Sequence, residues 1–371
     1  MYKYISQMDS VNKIKYYTPC LLPFVTDSIL KQNQPIYLSL LENSDLYSVP
    51  NYAISENGEP TSNVRYSWKL GYQSILDILK IMLVNDNFNT FDEGISYIEN
   101  HLNREDQTIV GVTTYYLPYS TNYLSQNYLK SYPHPLFGVS NHIISITGID
   151  LSNNKIKVYD TTPKIFQDWI SLELFKLAWM TDRKIKDLEH VKGINKLIPY
   201  NYIRVIVSQY FSEEEVMTLS LRLLKTIVYE YLNCRTLSEG NFKYVFGLSS
   251  TSILLKELDA CIMLKAASPL SKFVNCLVEQ KIARYFLRDF VEDISHFFTP
   301  LIHYSGEIDK LVYNIDMQIS RTSVELSKTY INFLQLSKNI DKLKSIFDIE
   351  KILLEKLYLA LKDYSTIYKI I

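Results

Sequence analysis

Between Phe211 and the C terminus the chain is interrupted by only two prolines, Pro269 and Pro300, and both fall between runs of helical periodicity. These runs cover residues 252–267, 270–296, 306–347 and 349–368, and an earlier one begins at Val216. Ahead of that run, Ser212-Glu213-Glu214-Glu215 reads as a helix N-cap followed by acids in the first turn, where the helix dipole favours negative charge. Ile308, Leu311, Ile315, Ile319 and Val324 recur at core-facing helical spacing. No heptad seam is sustained, which argues against a long coiled coil. Residues 210–371 are therefore expected to form a helical bundle.

The first 209 residues have a different texture. Residues 72–85 (YQSILDILKIMLVN) and 90–103 carry helical patterns. Residues 108–116 (TIVGVTTYY), 142–149 (HIISITGI), 155–159 (KIKVY) and 202–208 (YIRVIVS) are β-branched and aromatic, with turn residues such as Ser152-Asn153-Asn154 between them. The last three segments are expected to pair in an antiparallel sheet. Helices mostly precede strands, which implies an α+β domain rather than alternating βαβ units.

The chain of 371 residues is 47% hydrophobic and 21% charged, enough for a substantial core without a disulfide scaffold. Its formal net charge of −1 offers no basic excess to neutralise phosphates, so nucleic acid is not an expected partner. The opening segment, MYKYISQMDSVNKIKYY, lacks the apolar stretch of a secretory signal, and no apolar window is long enough to span a membrane. These features predict a soluble cytoplasmic protein with no membrane partner. Cys20, Cys234, Cys261 and Cys276 are widely spaced without a CxxC pair, so they are expected to be free thiols rather than zinc ligands. His101, His190, His296 and His303 do not group at metal-ligand spacing. Glycine is sparse, and neither GxGxxG nor a phosphate-binding loop occurs, so no bound cofactor or metal is expected.

Three residues stand out as a possible reacting centre. In YYTPCLLPFVTDSIL, Cys20 lies at or just before a helix start, with Thr18 as a candidate cap and Pro19 as a candidate first helical residue. Pro23 favours a later start, with Cys20 in the approach turn. Either position brings a thiol to the positive end of the helix dipole. His142 opens the segment HIISITGID, and KIKVYD ends on Asp160. A hairpin turning around 150–154 sets the end of the second strand beside the start of the first, which makes His142 and Asp160 neighbours. A carboxylate orienting an imidazole that activates a thiol is the logic of a cysteine-nucleophile triad.

This pattern of an early Cys, a distant Asn-His opening a strand with a GxD turn, and a following strand ending in VYD resembles the papain-like cysteine acyltransferases of butirosin and closthioamide biosynthesis. More distantly it is similar to the bacteriocin-leader cysteine peptidases. The resemblance implies a papain-like cysteine-protease fold at 1–209 with an antiparallel sheet, followed by a C-terminal helical domain at 210–371. It makes Cys20 the nucleophile, His142 the general base and acid, and Asp160 the residue that orients the histidine. Papain-like proteases usually carry a Gln six residues before the nucleophile to hold the oxyanion. That position here is Ile14, which leaves Asn12 or Gln7, with the Cys20 backbone N–H, as oxyanion candidates. Trp68, Gln73 and His134 are candidate cleft-lining residues.

The absent Gln and the family resemblance favour acyl transfer over proteolysis. The expected reaction moves an acyl chain from the phosphopantetheine thioester of an acyl or peptidyl carrier protein, through acyl-Cys20, to a small amine or diamine. It belongs to natural-product assembly of the nonribosomal-peptide type, with a thioamide-type chain as one acyl candidate. A cysteine peptidase or thioester hydrolase, and a catalytically inactive binding module, are the alternatives.

Overall fold

The computed structural model describes residues 2–4, 18, 20–45, 49–55, 58–62, 75–131, 142–161, 164–180, 200–233, 235–239 and 241–367. The chain divides into two compact units, one from residues 1–38 and 76–210, the other from 39–75 and 211–371. Residues 39–75 thus belong with the helical unit, whereas the sequence reading had placed them in the first domain. Both units together make a mixed α+β protein with antiparallel sheets and C-terminal helices.

In chain order, the first elements are β1 (Tyr2–Tyr4), α1 (Leu22–Lys31), α2 (Leu38–Asp45), β2 (Asn51–Ser55), β3 (Pro60–Thr61) and α3 (Ile75–Ile78). There follow β4 (Ile81–Asn87), α4 (Phe91–Leu102), β5 (Thr108–Val112), α5 (Gln126–Ser131), β6 (His142–Asp150), β7 (Lys155–Asp160), β8 (Phe166–Ser171), α6 (Leu172–Trp179) and β9 (Asn201–Val207). The first unit is built on a seven-stranded antiparallel sheet in the order β4-β9-β5-β6-β7-β8, with β1 also pairing to β6. Alternation along the strands separates two faces. Val110, Val112, Ile144, Ile146, Val158 and Tyr202 face α4 and α6 in the main core, while Ile109, Ile143, Tyr159, Ile203 and Val205 pack with Phe24 of α1.

One sequence expectation changes here. Residues 72–85 do not form one helix: among the described residues, Ile75–Ile78 is helical and Ile81–Asn87 is a strand paired along its whole length with β9. A continuous apolar run carries no period that separates helix from strand, so pairing decides. The three strands expected in one antiparallel sheet do share it: β6 and β7 pair directly, and β9 enters the same sheet between β4 and β5. The expected helix near 90–103 forms as Phe91–Leu102, with Thr90 accepting from the Glu93 N–H as its cap.

The hairpin between β6 and β7 turns through Leu151–Asn153. Asp150 caps this turn by accepting from Ser152 Oγ, Asn153 N and Asn153 Nδ2, and Asn154 closes it in the left-handed region at φ 54°. A bulge at Thr147 shifts the register between Ile146 and Gly148. That extra residue lets Ile149 join Ile144 and Ile146 in the main core.

The second unit contains α7 (Glu213–Leu232), β10 (Thr236–Glu239), β11 (Phe242–Phe246), α8 (Leu248–Met263), α9 (Ala267–Phe297), α10 (Ile302–Leu326) and α11 (Phe333–Ile367). Ser212 and Glu215 form a reciprocal capping box at the start of α7. The hairpin β10–β11 was not anticipated; it pairs with β2 and β3 in a four-stranded antiparallel sheet, order β10-β11-β2-β3. Gln280 of α9 donates to the Asn51 carbonyl, so residues 39–75 are tied into this unit by side chain as well as by strand pairing. The run 306–347 is two helices rather than one. Among the described residues, no helix is long and apolar enough to cross a membrane.

Candidate active site

Helix α1 begins at Leu22 with Leu21 at its N-cap position and Pro23 in its first turn, where a missing N–H costs no intrahelical bond. Cys20 therefore lies in the approach turn and Thr18 does not cap the helix, while Pro19 lies outside the described residues. Its thiol is half-buried and free. Phe24, one turn into the helix, meets Tyr159 edge-on at 5.6 Å and fixes α1 against the sheet.

His142 is the first residue of β6 and shares its face with Ile144 and Ile146. Asp160 is the last residue of β7 and shares its face with Ile156 and Val158. The register pairs Ser145 with Tyr159, so one step further sets Asp160 level with Ile144, diagonal to His142. The side chains meet across that diagonal: His142 Nε2 lies 2.8 Å from both carboxylate oxygens of Asp160. An ionised carboxylate only accepts, so Nε2 carries a proton and Nδ1 is the nitrogen left for Cys20. The nearby Cys20 side chain also favours the charged ring.

Electrostatics follow from this placement. Burial disfavours charge on His142, but hydrogen bonds and charge interactions with Asp160 and Cys20 outweigh it, and the imidazole is pushed up to about 9. At neutral pH the ring holds its proton between a carboxylate and a sulfur. Asp160 is 1% exposed and His142 10%, so these interactions are poorly screened by solvent.

Two residues the sequence reading did not single out support this group. Tyr119 donates its hydroxyl to Asp160 Oδ2 at 2.8 Å, and its ring stacks on Phe166 at 3.8 Å and 12°. Phe166 is the residue paired with Asp160 in the β7–β8 ladder. Buried Gln107 ties the helix of the thiol to the strand of the imidazole. Its Nε2 donates to the Phe24 carbonyl at 3.0 Å, and its Oε1 accepts from Ser145 Oγ at 2.5 Å. Nothing in local sequence marks either residue, because Tyr119 is one of 30 tyrosines and Gln107 merely precedes an ordinary strand.

Asn12, Gln7, Trp68, Gln73 and His134 lie outside the described residues. His101 is placed away from the triad: its Nδ1 approaches the Tyr97 carbonyl at 3.2 Å and its ring stacks on Tyr97. Among the described residues, no group of three or more His, Cys, Asp or Glu side chains is arranged to hold a metal ion. Neither a protein-family model nor a curated protein matches the chain.

Proposed function

We propose that this protein is a cysteine-dependent acyltransferase with a papain-like core, in which Cys20 takes an acyl group from a carrier-protein thioester and passes it to an amine. The observation that carries the proposal is the imidazole of His142, held by both oxygens of Asp160 and favoured in its charged form by Asp160 and the nearby Cys20 side chain. A helix led in by the cysteine, packed on an antiparallel sheet whose strands supply the histidine and the carboxylate, supports the papain-like reading.

In this reading the proton shared by Cys20 and His142 rests on the ring, and the Cys20 sulfur attacks the thioester carbonyl of the donor. The bond from that carbonyl to the pantetheine sulfur breaks, and the leaving sulfur takes the proton from Nδ1. Neutral His142 then accepts a proton from the incoming amine as it attacks acyl-Cys20. The amide forms, the Cys20–acyl bond breaks, and the thiolate–imidazolium pair is restored. Asp160 keeps Nε2 protonated throughout, so Nδ1 alone exchanges protons.

Intact-mass analysis after incubation with acyl-loaded carrier protein, followed by addition of small mono- and diamines, tests the proposal. The expected result is an acyl adduct on Cys20 that discharges to amide and is absent in Cys20→Ala. Discharge to free acid alone would identify a thioester hydrolase. An adduct that persists in Cys20→Ala, or none with any loaded carrier, would overturn the assignment.

A further inference from the structure

We infer that Tyr119 is a positioning residue of this site, acting on His142 through Asp160: its hydroxyl takes up part of the charge of the carboxylate that the imidazole faces. The inference rests on the reading of Cys20, His142 and Asp160 as a reacting triad. Three observations carry it. The phenolic oxygen is 2.8 Å from Oδ2, the same distance at which His142 Nε2 meets that oxygen. The Tyr119 ring lies flat on Phe166, so the hydroxyl is aimed by packing and costs little extra ordering. Phe166 is in turn fixed opposite Asp160 by the β7–β8 ladder. The hydroxyl is thus a built part of the carboxylate's surroundings.

Burial together with the neighbouring Asp160 charge holds the Tyr119 phenol far above its ordinary range, so it stays a neutral donor at every working pH. Among the described residues, the titratable groups that act on this site include His142 from β6, Cys20, and Tyr159 on β7 itself, whose side chain packs on the α1 side near Asp27. A neutral donor binds a bare carboxylate more tightly than one that already faces an imidazolium. Tyr119 therefore favours the neutral ring relative to the charged one. It draws down the proton affinity that Asp160 confers and eases proton release from Nδ1 to a leaving thiol.

Titration of the histidine ring signals by NMR, in the full chain, separates this inference from the reading beneath it. Asp160→Asn should bring the His142 midpoint down from about 9 toward 6.5, the ordinary value. No movement in that variant would sink the triad reading itself. Tyr119→Phe keeps the stacked ring and removes only the donor, and should move the midpoint upward by about half to one pH unit, the worth of one hydrogen bond. Phe166→Leu, which loosens the stack, should move it in the same direction by less, and it serves should Tyr119→Phe fail to fold. A His142 midpoint that is unchanged or lowered in a folded variant of this pair, with the Asp160→Asn response intact, would overturn the role of Tyr119.

Discussion

His142 gains a proton affinity in the folded state that it lacks when unfolded, and this has a consequence for stability. A group whose folded value lies above its unfolded one stabilises the fold while the proton is bound. The contribution of His142 is therefore complete below about 6.5 and is lost as pH rises through about 9. Across that window the wild-type protein should lose stability at up to about 1.4 kcal/mol per pH unit from this group. In Asp160→Asn the partner that chiefly holds the proton is weakened, so the slope should flatten. Urea midpoints measured from pH 6 to pH 10 check this, and parallel slopes in the two proteins would contradict it. At this scale the sequence was informative where separation along the chain is short. His142 and Asp160 are joined by one tight hairpin, so their meeting follows from strand period and turn chemistry. Tyr119 reaches Asp160 from a separate segment beyond β5, and such a contact depends on tertiary packing alone.

The helices of the second unit are joined by a buried polar network that helical periodicity does not reveal. Arg284 of α9 donates from Nε to Glu350 Oε1 at 2.7 Å and from Nη2 to Oε2 at 2.9 Å, which fastens α9 to α11. Nη2 also donates to Thr251 of α8, and both ionic side chains are nearly inaccessible. Removing one partner strands the other charge in the interior. Glu350→Ala is therefore expected to cost about 3–5 kcal/mol in denaturant unfolding; a loss below about 1 kcal/mol would show that water or rearrangement compensates Arg284. Element boundaries were legible in proportion to their local chemistry. The start of α7 was visible because Ser212 and Glu215 form a capping box. The break between α10 and α11 was not, because it contains neither Gly nor Pro. It is built from side chains: Glu325 accepts from Asn332 N, and Asn332 Oδ1 caps the next helix by accepting from Gln335 N. The strands β10 and β11 were missed because short strands draw their stability from partners, and β2, the further partner of β11, lies almost 200 residues away in sequence.

At the scale of the whole molecule, the chain leaves its first unit after Leu38 and returns to it at Leu76. A linear reading of texture finds the change near 210 but not this excursion. Residues 39–75 look like their neighbours, and only the strands and helix they pair with identify their unit. The candidate site is spared this discontinuity, since Cys20, Tyr119, His142 and Asp160 all belong to the first unit. The second unit supplies a contrast within the same chain. Cys261 and Cys276 are buried there, and burial raises both thiols, Cys276 to about 11. Half-buried Cys20, beside the charged ring of His142, should behave differently. Site-resolved alkylation with iodoacetamide at pH 6.5, read by peptide mass, tests this directly. The account predicts that Cys20 is labelled at least ~10-fold faster than Cys261 and Cys276, and that His142→Ala abolishes the advantage. A Cys20 labelled no faster than the buried pair, or equally fast without His142, would contradict it.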